Sequence, residues 1–171
     1  MRFARLTYAV ILSGSALWCA LIVSAPAALS APELRPLSGL VYAFFSPLCH
    51  QISARSFHLF GEPLAVCARC SSIYFGFFLG ALGYPLAGRI LRALPVGPLF
   101  LLAASTPMLC DVLLEALGLY ESSNVIHALT GAWFGVLLPV IIVPGAMEGI
   151  AQLAARHNPH SAHSEKGLVD A

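Results

Sequence analysis

Of this chain's 171 residues, 58% are hydrophobic and 10% are charged, which is more apolar surface than a soluble domain of that length can bury, so its solvent is a bilayer. The formal net charge of +1 excludes a nucleic-acid partner, because neutralising phosphates takes a clustered excess of Lys and Arg. At roughly 20 residues per span, the length suits one small bundle and leaves no room for a separate soluble domain.

Arg2 and Arg5 precede an uncharged run from Leu6 to Pro32, densest between Tyr8 and Val23, and this run predicts a first span. The competing reading is a cleaved signal peptide, with small residues around Ala25-Pro26-Ala27 or at Ala31. The run exceeds a usual signal core, Pro26 falls inside the first site and Leu29 takes the minus-three position of the second, so a retained span is preferred. Either reading puts the next segment of the chain outside the cytoplasm. Pro26, Pro32, Pro36, Pro47 and Pro63 then oppose a continuous helix and predict an outward loop over about 25–69. Within it, Leu37 to Leu48 is apolar and aromatic but too short to span, which predicts a short interfacial helix.

A second span is expected from Cys70 to Ala87, running inward to Gly88-Arg89 and Arg92. Gly76 and Gly80, with Gly83 and Ala87 as a further small pair, predict a face that a neighbouring helix approaches closely. The third span, Val96 to Gly118, contains Pro107 and carries Asp111 and Glu115 one helical turn apart on one face. A fourth, from about Ile126 to Val143, carries Gly131 and Gly135 and places His127 at its outer end. In the polar tail His157, His160 and His163 recur every third residue, but Pro159 opposes a helix that would align them for a metal.

Arg2, Arg5, Arg89, Arg92, Arg156 and Lys166 then fall inside, against Arg35, Arg55 and Arg69 outside. The expected fold class is all-α: a polytopic membrane protein with a four-helix transmembrane bundle plus a short interfacial helix. Residues 1–145 form the bundle and 146–171 a partly disordered cytoplasmic tail. Both termini lie inside, and the membrane is the cytoplasmic (inner) membrane of a bacterium or archaeon; the lipid bilayer is the one expected partner.

Chemistry concentrates between Cys49 and Gly76, where three of the five cysteines and two of the six histidines sit in apolar flanks. Cys67-Ala68-Arg69-Cys70 lets two thiolates reach one ion from a tight turn. Adding Cys49 and an imidazole completes the three-sulfur, one-nitrogen donor set that suits zinc. The expected metal ligands are therefore Cys49, His50, Cys67 and Cys70, with His58 and His127 as alternative fourth ligands. The helix start that follows the Cys-x-x-Cys is expected to lower the thiol pKa of Cys70, so a membrane thiol-disulfide oxidoreductase using Cys67 and Cys70, with Cys49 as shuttle, is the second reading. The third is a purely structural disulfide among the same cysteines. Cys19 and Cys110 read as small apolar residues inside spans.

An ionisable side chain inside a span is costly unless it is paired or faces water, which makes Asp111 the candidate catalytic residue. The alternative is that Asp111 pairs with Arg55 or Arg69 and anchors the loop. His127 reads either as a ligand or as a hydrogen-bonded cap beside Asn124.

The string Cys49-His50-Gln51, Arg55-Ser56-Phe57, Gly61, Cys67-Ala68-Arg69-Cys70, Ile73-Tyr74 and Gly76, followed by Asp111 and by Asn124 to Gly131, resembles the bacterial and archaeal membrane proteins grouped as domain of unknown function 2085. The likeness covers roughly Val41 to Gly135. Ser71-Ser72 stands where that family tends to have Gly after the second cysteine, and His127 where it tends to have Arg. The resemblance implies a small polytopic membrane protein with a shared Cys/His cluster, and no particular activity.

Overall fold

The computed structural model describes residues 2–91 and 97–157. Most of the chain is helical: α1 spans Arg2–Leu29, α2 Arg35–Phe45, α3 Ala68–Leu91, α4 Pro98–Ala116, α5 Asn124–Leu137 and α6 Pro139–His157. Between α2 and α3 lies a hairpin of two short strands, β1 (His58–Leu59) and β2 (Glu62–Pro63), which the all-helical expectation did not contain. Its turn residues Phe60 and Gly61 both have positive φ, the backbone of a type I′ turn, so a Phe-Gly dipeptide does here what Asn-Gly usually does.

Three helical stretches among the described residues are long and apolar enough to cross a membrane: Ala4–Leu29, Pro98–Ala116 and Asn124–Ala154. Leu6, Leu17, Leu99, Leu113, Leu129 and Trp133 are large, apolar and exposed on them, a surface that lipid chains cover. The first expected loop boundary moves. α1 continues through Pro26, which is fully buried, to Leu29, because a proline near a helix end removes only one backbone donor. The last helix also runs on. The expected span ended at Val143, but Pro139 sits at the start of α6, where its missing N–H costs nothing, and α6 passes Pro144 to reach His157. Arg92 and the tail from position 158 on, with His160, His163 and Lys166, lie outside the described residues.

The tightest pairing is between α3 and α5, and small residues make it. A Cβ added at Gly76 would lie 2.8 Å from the Ala132 carbonyl oxygen, and one at Gly131 would lie 2.6 Å from that of Arg69. Gly80 and Gly135 are pressed more closely still, against the backbones of Val136 and Ile73. Both expected Gly-x-x-x-Gly pairs thus face one another. Gly83 has nothing within 4 Å, so the expected small face stops one turn short of it. Further along α3, Pro85 frees the carbonyl of Ala81, and the Tyr8 hydroxyl donates to it at 2.9 Å, joining α1 to α3.

α2 turns Ser38, Val41 and Phe45 inward and Leu37, Leu40 and Phe44 outward, so it is apolar on both faces. Its inner face packs with Ile22 and Ala25 of α1 and with Ala65 and Val66, in a core that also contains Cys49. Trp18 meets Phe44, Phe45 and Tyr74 edge-on, with ring centroids 5.5, 5.1 and 5.6 Å away, so one indole ties α1, α2 and α3 together. The Ser38 hydroxyl, fully buried, donates to Ala25 O at 2.7 Å.

A candidate metal centre beside a buried ion-pair cluster

The chain leaves α2 at Phe45, whose carbonyl accepts from the Cys49 amide, and Cys49 is thereby turned into the core. Two residues later Gln51 adopts a positive φ, which is costly for a residue with a Cβ. Two hydrogen bonds hold it there: its Nε2 donates to Tyr42 O and to Ala65 O, each at 2.8 Å. The Tyr42 hydroxyl in turn donates to Pro63 O, and burial pushes that phenol's pKa up, with Glu62 adding to the effect. These bonds close the segment on itself and return it to Val66, so that Cys67 arrives beside Cys49.

Cys67 directly precedes α3 and Cys70 lies in its first turn. The Cys67 amide donates to Cys49 Sγ at 3.2 Å, and the sulfurs of Cys49, Cys67 and Cys70 all lie within 4.8 Å of one another. All three are free cysteines. A tetrahedral zinc with bonds of about 2.3 Å to sulfur needs its sulfurs about 3.8 Å apart, which small side-chain adjustments reach from here. The Cys67 sulfur accepts a hydrogen bond from the Cys70 thiol, and further ones from the Cys70 amide, the Cys49 thiol and the Arg69 amide, and together these outweigh its burial and lower its pKa to about 5, so the lowered thiol is Cys67 and not the expected Cys70. Amide donors aimed at sulfur are also what orient a metal-bound thiolate.

That shift carries a sign. A thiol whose pKa is lowered is reactive over the interval where an ordinary thiol still carries its proton. Alkylation of Cys67 in metal-free protein should stay near its maximal rate from pH 8 down to pH 6 and fall as pH drops through about 5. An ordinary thiol loses about tenfold for each pH unit below 8. Peptide mapping of iodoacetamide adducts measures the profile, and a tenfold loss at Cys67 for each pH unit below 8 would contradict the assignment.

The sulfurs form one wall of a cavity of about 220 Å³, whose other lining includes His50, Arg55, Arg69 and His127. His50 is exposed and its ring stands outside the sulfur group, but it faces the same cavity. His58, the first alternative ligand, is turned away, with Nε2 3.1 Å from the Ser53 hydroxyl. His127 is buried and its Nε2 lies 3.2 Å from Glu115 Oε2. The cap of α5 is Ser123, whose Oγ accepts from Ile126 N, while Asn124 reaches back to donate to Ala54 O.

Asp111 is 4% exposed and does not line the cavity. Arg69 donates to its Oδ2 at 2.6 Å; Ser122, at 2.7 Å, and Tyr120 donate to Oδ1; Thr130 lies 3.5 Å from Oδ2. The bond to Asp111 raises the Tyr120 pKa. Of the two arginines expected as partners, Arg69 takes Asp111, and Arg55 instead pairs with Glu115 at 2.9 Å. Arg69 also reaches Glu115, at 3.3 Å. Tyr120 and Ser122 come within reach because Gly118, with φ of +67°, ends α4 in a Schellman turn: Leu119 N bonds Leu114 O and Gly118 N bonds Glu115 O. The Gly-x-Tyr-x-Ser spacing after an apolar helix carried that signal, and sequence reasoning passed over it.

The arrangement is a three-thiol cluster whose middle residue, Arg69, is clamped by two acids from the next helix. The model of a family described as predicted membrane proteins, domain of unknown function 2085, matches residues 49–141, which begin at the first cysteine of the cluster and take in both acids and His127. The chain belongs to this family. Uncharacterised relatives match part of the chain. One, from Methanocaldococcus jannaschii, is 36% identical over 108 residues, which are 63% of this chain and 69% of the relative. Another, from Methanothermobacter thermautotrophicus, is 33% identical over 104 residues, 57% of this chain and 86% of the relative. No solved structure matches the chain. The domain of unknown function 2085 segment thus leaves out α1 and α2, whose part in the site is to bury Cys49 from behind.

Proposed function

We propose that this protein is a four-span membrane protein, α1, α3, α4 and the α5–α6 stretch being its spans, with both termini, and the chain beyond the α5–α6 stretch, on the cytoplasmic side. On the opposite side it holds zinc through Cys49, Cys67 and Cys70, with His50 turning in from the cavity as fourth ligand. The observation that carries this reading is the convergence of three unbonded sulfurs from two separate segments, with amide donors already directed at two of them. Zinc suits this donor set because three thiolates and one imidazole give it the tetrahedral shell it prefers. Asp111, its oxygens occupied, holds Arg69 in place. A second reading has one specific observation behind it: the lowered pKa of Cys67 also equips a dithiol that cycles with a disulfide.

Metal analysis of the detergent-purified protein, combined with thiol counting before and after reduction, separates the two. Zinc at one per chain is expected, with three further thiols becoming titratable on chelation and Cys67→Ser abolishing the stoichiometry. A metal-free protein whose Cys67 and Cys70 interconvert between dithiol and disulfide would sink the zinc reading and sustain the second. A metal-free protein with a permanent bond among these cysteines would sink both and leave a structural cross-link.

A further inference from the structure

Cys70 and Pro85 are separated along α3 by about 22 Å at 1.5 Å per residue, so the far end of the bundle is chemically independent of the thiols. There a cavity of about 710 Å³ opens between α1, α3 and α6, lined by Arg5, Tyr8, Tyr84, Pro85, Met147 and Glu148 among others. Its size falls in the range of about 300–1,000 Å³ typical of small-ligand sites. The walls are mostly apolar, and the charged groups are one of each sign. Arg5 comes from α1 and Glu148 from α6, and among the described residues neither has an ion-pair or hydrogen-bond partner.

Two opposite charges on one cavity that do not neutralise each other match a ligand carrying the complementary pair. The stretches able to cross the membrane begin at Ala4 and end at Ala154, which sets Arg5 beside one span end and Glu148 within two turns of the other. That is the depth at which lipid headgroups lie against helix ends. The apolar walls below suit an acyl chain.

We propose that this cavity binds an aminophospholipid, with the phosphate on Arg5 and the primary ammonium on Glu148. The selectivity follows from hydrogen bonding. A primary ammonium donates to a carboxylate, a quaternary ammonium has no N–H to donate, and a glycerol headgroup brings no cation. The site does not depend on the metal centre and would exist whatever the cysteines do.

The full chain, purified in detergent and titrated in turn with dioleoyl phosphatidylethanolamine, phosphatidylcholine and phosphatidylglycerol, gives the test by native mass spectrometry. Phosphatidylethanolamine should be retained about tenfold more tightly than the other two, the worth of one charge-assisted hydrogen bond. Glu148→Gln should bring phosphatidylethanolamine down to phosphatidylcholine, and Arg5→Gln should weaken all three. Both residues are exposed, so the variants keep the fold, which monodisperse elution checks. Equal retention of the three lipids by the unaltered protein, an ethanolamine preference that survives Glu148→Gln, or retention unchanged by Arg5→Gln overturns the proposal.

Discussion

Asp111→Ala is expected to destabilise the protein by about 3–5 kcal/mol, the range for removing one partner of a buried ion pair. The loss is not that of one contact. Arg69 keeps its charge with only Glu115 to meet it, and the Tyr120 and Ser122 hydroxyls lose the acceptor they share. Because Arg69 sits between Cys67 and Cys70, the same variant should also retain zinc less well, although Asp111 touches no sulfur. Asp111→Asn keeps an acceptor for Ser122 and should fall between the two. Reversible unfolding in mixed micelles measures the stability, and metal content after gel filtration measures the second effect. A loss below about 1 kcal/mol, the level of an exposed pair, would show that Asp111 does not anchor the bundle.

Gly135→Val is the second large effect. Even its first carbon has no room, because the Ile73 backbone of α3 already occupies the space a Cβ would need. Overpacking of a close-packed site costs about 1–3 kcal/mol, and here the obstacle is backbone that cannot rotate aside, so the upper end is expected. Gly83→Ala supplies the contrast within the same helix pair. Nothing lies within 4 Å of Gly83, and alanine is a better helix former by about 1 kcal/mol, so this substitution should be neutral or stabilising. Thermal unfolding followed by tryptophan fluorescence reports both. If the two substitutions moved the midpoint alike, the α3–α5 seam would not be the principal packing surface.

The helical, membrane-embedded character and the meeting of Cys49 with Cys67 and Cys70 were legible in the sequence because they depend on composition and on short, strongly constrained spacings. Gly76, Gly80, Gly131 and Gly135 were legible as a close-approach motif for the same reason, though their mutual pairing was visible only in three dimensions. The less legible features depend on bonds between distant segments. Gln51 gives no hint in the chain that its amide joins Tyr42 to Ala65, and which of Arg55 and Arg69 takes Asp111, left open in the sequence, turns on which acid each can reach on α4. The hairpin at Phe60-Gly61 escaped because a bulky residue at positive φ runs against local propensity, and only the surrounding bonds hold it. Pro26 and Pro144 misled in the opposite sense: each looked like a helix end, and in these apolar surroundings the helix continued through it.

The hairpin tip also has a practical use. Phe60 is 71% exposed and stands between two fastened points, the Gln51 amide on one side and the Tyr42–Pro63 bond on the other. Closing a loop grows more costly only slowly with its length, so residues inserted between Phe60 and Gly61 should leave the sulfur positions undisturbed. An epitope or a membrane-impermeant fluorophore acceptor spliced in there would move with the cysteines as one rigid unit. Its accessibility in intact cells would then report directly which compartment the three cysteines face.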